Sequence, residues 1–145
     1  MLKIGLASIA YARAWGQQAG RTYRIGCLFS APQTAPHQVA LLEGLVRSGF
    51  VDGENLSIDW RGYGLRPNQF DEHAAELLRT GVDVILAGGD PAVRAAQRAT
   101  STIPILALTD DMLGQGFVRS LAKPGGNTTG VTILASELDG KGRIF

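Results

Sequence analysis

Val82-Asp83-Val84-Ile85-Leu86-Ala87-Gly88-Gly89-Asp90-Pro91-Ala92 decides the fold. The apolar run is short and rich in β-branched residues, which suits a strand covered on both faces. Gly88 and Gly89 allow a sharp turn or a close approach of backbone to a ligand. Asp90 is expected to cap the first free amides of a helix, with Pro91 at its first position. That helix runs through Ala92-Val93-Arg94-Ala95-Ala96-Gln97-Arg98-Ala99, and Thr102–Thr109 follows as the next strand. A strand, a helix and a strand in this order make one unit of a parallel α/β sheet.

The same alternation extends outward in both directions. Arg24–Phe29 reads as the first strand, and a helix is expected from about Pro36 to Arg47, with Val39, Leu42, Leu45 and Val46 on its inner face. Leu56–Arg61 alternates apolar and polar residues, the pattern of an edge strand with one wet face. A second helix is expected from Pro67 to Arg79, with Phe70, Ala74, Leu77 and Leu78 inward and His73 at its boundary. Beyond Thr109, the residues Phe117, Val118 and Leu121 suggest a short helical face, and Gly130–Leu134 a fifth strand. The expected architecture is therefore α/β, a three-layer parallel sheet in strand order 2-1-3-4-5. The amphipathic strand belongs at the edge, and the most apolar strands belong in the middle.

Composition narrows the function. The chain has 145 residues, 45% of them hydrophobic, and a net charge of +1. It can form one compact domain with a core, and it has no basic stripe of the kind that nucleic acid requires. With a single cysteine, Cys27, there is no internal disulfide to form, and no cluster has metal-ligand spacing. Residues 1–20 begin with a basic turn, continue apolar through Ile4–Ala12 and end among small residues. They read as a signal peptide or leader, too short to span a membrane permanently. Export, to a periplasm where there is one, is the expected destination.

Ligands of open parallel sheets sit beyond the carboxyl ends of the strands, where strand order reverses. Three loops build that rim here, and they supply the candidate ligand-binding residues Ser30, Gln33, Thr34, Gly89, Asp90, Pro91, Asp110 and Asp111. Several also have plainer uses: Ser30 and Thr34 as turn or helix caps, Asp90 as a cap, Asp110 and Asp111 as solvated loop acids. His37 stands near the first loop. Trp60 and Tyr63 are either packing groups or residues that close over a ligand. A dinucleotide loop after the first strand, a P-loop and a Gly-x-Ser-x-Gly elbow are all missing. No catalytic residue, cofactor or metal is therefore expected.

Several segments occur in the order found in a known family. They are Tyr23-Arg24-Ile25-Gly26, Gly49-Phe50-Val51-Asp52-Gly53-Glu54-Asn55-Leu56, Val82–Gly89, Ala99–Ile105 and Asp111–Val118. The most specific is Ser120-Leu121-Ala122-Lys123-Pro124-Gly125-Gly126-Asn127-Thr128-Thr129-Gly130-Val131. Across about residues 23–141 the chain resembles the substrate-binding proteins of ABC transporters, of the two-lobed tryptophan/tyrosine-binding type. The resemblance implies the first lobe of a type I periplasmic-binding-protein fold over residues 21–136, with the ligand in a cleft between lobes. It also implies a small-molecule ligand, an amino acid or similar polar organic solute, and an ABC permease as partner of the full-length relatives. Ser30, the Gly89-Asp90-Pro91 turn and Asp111 are the loop residues it carries over. The family often has Thr in place of Asp90 and Pro in place of Met112. Relatives continue past Glu137–Lys141 into a second lobe, so residues 137–145 are expected to be a truncated start of that crossover, and binding by the chain alone to be weak. Two other readings fit an α/β domain: a stand-alone flavodoxin-like ligand-binding or regulatory domain, and a small cytoplasmic enzyme.

Overall fold

The computed structural model describes residues 20–120, 122, 123 and 125–132. The expected leader (apart from Gly20), Leu121, the end of the fifth strand at Ile133 and Leu134, and the crossover at 137–145 lie outside the described residues.

Five parallel strands form one sheet in the order β2-β1-β3-β4-β5. They are β1 (Tyr23–Leu28), β2 (Leu56–Ile58), β3 (Val84–Gly88), β4 (Ile105–Thr109) and β5 (Thr128–Thr132). Three α-helices connect them: α1 (Pro36–Arg47), α2 (Phe70–Thr80) and α3 (Asp90–Ala99). The expected strand order holds. Register is fixed by alternation, since a slip of one residue would turn every side chain to the wrong face. Gly26 pairs with Ile85, and Leu28 with Ala87. Ile85 pairs with Ile105, and Ala87 with Ala107.

That alternation splits the core in two. On one face Leu28, Ile85, Ala87, Ile105 and Ala107 pack beneath Phe70, Ala74 and Leu77 of α2 and Val93 and Ala96 of α3. On the other, Ile25, Cys27, Phe29, Leu56, Ile58 and Leu86 pack beneath Leu41, Leu42 and Leu45 of α1.

Several local expectations are corrected. The inner face of α1 is Gln38, Leu41, Leu42 and Leu45, a true i, i+3, i+4, i+7 stripe. Gln38 is 0% exposed, while Val39 and Val46 are 40% and 58% exposed. Reading valine as inward and glutamine as outward rotated the stripe by one residue, about 100° around the helix. The edge strand ends at Ile58. Asp59 then accepts from Arg61 N–H and turns Trp60–Gly62 into a 3-10 helix. Pro67–Gln69 is likewise a 3-10 turn, ahead of α2. Residues 111–120 form turns rather than a helical face, although Met112, Phe117 and Val118 are buried against α3. Finally, β4 starts at Ile105 instead of Thr102, and β5 starts at Thr128 instead of Gly130. Asn127 accounts for both starts: its backbone carbonyl accepts from Ile105 N–H at 2.7 Å, and its side chain donates to Ile103 O at 2.7 Å.

Candidate functional site

A cavity of about 430 Å³ opens at the carboxyl ends of β1, β3 and β4. Its lining comes from the chain just after β1 (Phe29, Ser30, Ala31), from the β3–α3 turn (Gly88, Gly89, Asp90) and from the end of β4 (Leu108, Thr109, Asp110), with His37 and Leu41 of α1 closing one side. β1 and β3 are sequence-distant neighbours from which the chain winds in opposite directions. The cavity therefore sits at the reversal point of the sheet, where open α/β sheets hold their ligands.

Each wall has a local cause. Phe29 continues the line of β1: its N–H donates to Gly62 O at 2.8 Å, and its carbonyl accepts from Leu65 N–H at 2.9 Å. Its ring lies directly over Gly88, where a Cβ would strike ring carbons Cδ1 and Cε1. The close approach at Gly88 is thus made by Phe29. Gly89 has φ +86°, a left-handed value that suits glycine, and its N–H donates to Leu108 O at 2.8 Å. Because Gly89 already takes the non-helical dihedrals of an N-cap, α3 begins one residue earlier than expected. Asp90 is its first residue and Pro91 its second, and no side chain caps the helix. The Asp90 carboxylate instead accepts a hydrogen bond from Thr109 Oγ1. The expected capping role of Asp90 is replaced by a tie between the β3 and β4 loops.

Beneath the cavity three aromatic rings form a ladder. Phe29 stacks on Tyr63 at 5.2 Å between ring centroids and 13° between planes, and Tyr63 stacks on Trp60 at 5.9 Å and 28°. Trp60 Nε1 donates to Asp52 at 3.0 Å. Trp60 and Tyr63 therefore act as packing groups that support Phe29. Tyr63 Oη lies 3.7 Å from Cys27 Sγ. Burial pushes the Cys27 thiol up to about 12, against the weaker pull of the Tyr63 hydroxyl. The Tyr63 phenol is also raised, first by burial and then by the neighbouring thiol. Neither group has the lowered pKa of a nucleophile.

Of the residues singled out from sequence, Ser30, Gly89, Asp90 and Asp110 line the cavity. Gln33 and Thr34 are exposed outside that lining, and Thr34 does not cap α1, whose N-cap is Ala35 without a side-chain bond. Pro91 is exposed on the first turn of α3. Asp111 accepts from Gly114 N–H at 2.7 Å and shapes its own turn. Gly88 and Thr109, which belong to the rim loops read from the sequence, also line it; Phe29, Leu41 and Leu108 were missed, because apolar residues in a strand or helix read as core. His73 is buried and shares a 2.7 Å contact with Asp59, away from the cavity. Among the described residues no group of His, Cys, Asp and Glu could hold a metal ion, and no helix is long and apolar enough to cross a membrane.

A five-stranded parallel sheet in this order, with a ligand-sized cavity at its reversal point, is the architecture of doubly wound α/β domains, the lobes of periplasmic binding proteins among them. Residues 27–140 match the ABC transporter substrate binding protein family, and the chain belongs to that family. It is 32% identical over 110 residues to a tyrosine-binding protein of Clostridioides difficile (strain R20291), a match that takes in 74% of this chain and 32% of that protein. Its fold is similar to a ligand-free, open substrate-binding protein with adhesive properties from Clostridium difficile (TM-score 0.67, 29% identity, 77% of this chain and 39% of that one). It is also similar to an ABC domain from Streptococcus pneumonia in complex with L-Trp (TM-score 0.63, 26% identity, 77% and 38%). The chain spans about a third of the curated relative's length.

Proposed function

We propose that this chain provides one ligand-facing wall of an exported substrate-binding protein that serves an ABC-type permease. Its ligand is a small organic solute with a polar end and an apolar or aromatic body, an amino acid or a close relative of one. The observation that carries this reading is the position of the cavity: loops following β1, β3 and β4 converge on the reversal point of the sheet, over an apolar floor of Phe29, Leu41 and Leu108. The similarity to a tyrosine-binding protein and to a protein seen with L-Trp supports the ligand class. The reading assigns the wall no catalysis.

A single wall has an energetic consequence. Closed sites commonly bury ~70–90% of a small ligand, and one wall covers roughly half of that. Losing about 4 kcal/mol of contact weakens binding about a thousandfold. The chain alone should therefore bind L-tryptophan more weakly than micromolar, with amide NMR shifts confined to residues 29–31, 88–90 and 108–110. Shifts that avoid this rim would overturn the proposed wall, and micromolar affinity by isothermal titration would overturn its incompleteness.

A further inference from the structure

We propose that this wall reads positive charge: the bound solute turns an ammonium or similar cationic group toward Asp90 and Asp110, and its apolar body toward Phe29, Leu41 and Leu108. The inference rests on the cavity being a ligand wall, as argued above, and adds the charge of the group that meets it.

The amino end of a helix ordinarily favours an anion, because its first amides are unpaired and the helix dipole is positive there. Here the first residue of α3 is itself an acid. The Asp90 carboxylate stands where a ligand carboxylate would otherwise be drawn, and it opposes the helix dipole with a full charge. The neighbouring hydroxyl is committed as well, since Thr109 Oγ1 donates its hydrogen to Asp90. One lining hydroxyl is thus taken by the protein's own carboxylate, and the uncapped amides of α3 lie beside that same negative charge; the Ser30 hydroxyl remains as a donor. Asp110 adds a second acid on the exposed rim, and among the described residues the lining contains no lysine or arginine. His37 is the one lining residue that can become cationic. Among the described residues neither Asp90 nor Asp110 has an ion-pair partner, so a ligand cation would meet acids that no protein cation already neutralises. The walls below are apolar, which strengthens a charge contact at the rim by excluding water from one side.

The test uses three molecules that share an indole ring and a short side chain: tryptamine (a cation), L-tryptophan (a zwitterion) and indolepropionate (an anion). Each is titrated into the full chain at neutral pH while amide shifts at residues 88–90 and 108–110 are followed. Affinity should fall in the order given, with tryptamine about tenfold or more tighter than indolepropionate, and added salt should narrow the gap. Asp90→Asn, nearly identical in shape, should weaken tryptamine about tenfold and leave indolepropionate unchanged or tighter. Asp110→Asn alters an exposed side chain and should weaken tryptamine by a smaller factor even if the first variant does not fold. Indolepropionate binding this rim as tightly as tryptamine would overturn the charge assignment and leave the ligand wall standing. Rim amides that respond to none of the three would overturn both.

Discussion

Behind the sheet, α2 and α3 lie side by side over Leu28, Ile85, Ala87, Ile105 and Ala107, all of them 0% exposed. In front, α1 covers β1 and β2. Leu106 and Leu108 stay half-buried, and Val131 is 44% exposed. Among the described residues no helix covers the front of β4 and β5. The two faces come from alternate residues of the same strands, so propensity cannot account for the contrast. Helix supply accounts for it: among the described residues two helices pack behind and one in front. The rear face is therefore where stability is concentrated. The front face, less enclosed, leads up to the cavity and can give up stability for access.

The sharpest way to break this contrast is a matched pair of truncations. Leu77 is 1% exposed on α2, and Leu77→Ala should cost about 3–4 kcal/mol through lost burial and an unfilled cavity. Leu106→Ala, at a half-buried front position, should cost about 1–2 kcal/mol. Urea denaturation of both variants compares them directly. Equal losses would mean that the front of β4 is as well packed as the rear, and the asymmetry would have to be abandoned.

A subtler test concerns the one buried polar residue of α1. Gln38 accepts a long 3.4 Å hydrogen bond from Tyr63 Oη, and its side-chain nitrogen has no hydrogen-bond partner among the described residues. An unpaired buried donor costs about 1–3 kcal/mol, whereas an apolar group of similar shape carries no such penalty. Gln38→Met should therefore raise stability by about 1 kcal/mol. A loss of stability in thermal or urea melts would show that the Gln38 amide is needed, and that the front layer is more tightly specified than its exposure suggests.

These two cases also show what the residues made legible. Strand order followed from the alternation of strands and helices together with hydrophobicity, because a strongly apolar strand such as Val84–Gly88 belongs in the middle of a sheet. The rim loops followed from the strand ends. The face of α1 did not, since burial of Gln38 depends on the position of Tyr63, which arrives from a loop 25 residues away. The floor of the cavity was hidden for a related reason. Phe29 looks like any core aromatic until its ring is seen seated over Gly88. The tie from Thr109 to Asp90 links two loops through space and leaves no spacing signal in the chain. Local patterns predicted backbone positions well, but they could not predict contacts that form only when distant loops converge.

A last contrast separates the two rims of the sheet. At the amino-terminal rim Asp83 is firmly paired: it accepts from Arg24 N–H at 2.8 Å and from the Arg21 guanidinium at 2.6 Å. Its carboxyl is held below the usual range, chiefly by the Arg24 backbone bond, with further help from the Arg21 charge. At the carboxyl-terminal rim Asp110 has no such partner among the described residues. A depressed folded-state pKa stabilises the protein above the unfolded value of about 3.9, and that contribution disappears as pH falls through the folded value. Asp83→Asn should therefore cost stability at neutral pH, and the gap from the parent should close as the solution is acidified below about pH 4. The site is exposed, so the loss should stay under about 1 kcal/mol. Asp110→Asn should cost less at neutral pH than Asp83→Asn, because that acid has no ion pair among the described residues to give up. Melting curves of the parent and both variants from neutral to acid pH would decide the matter. A loss at Asp110 as large as that at Asp83 would mean that the upper rim is internally paired after all, and that its acids are not free for a ligand.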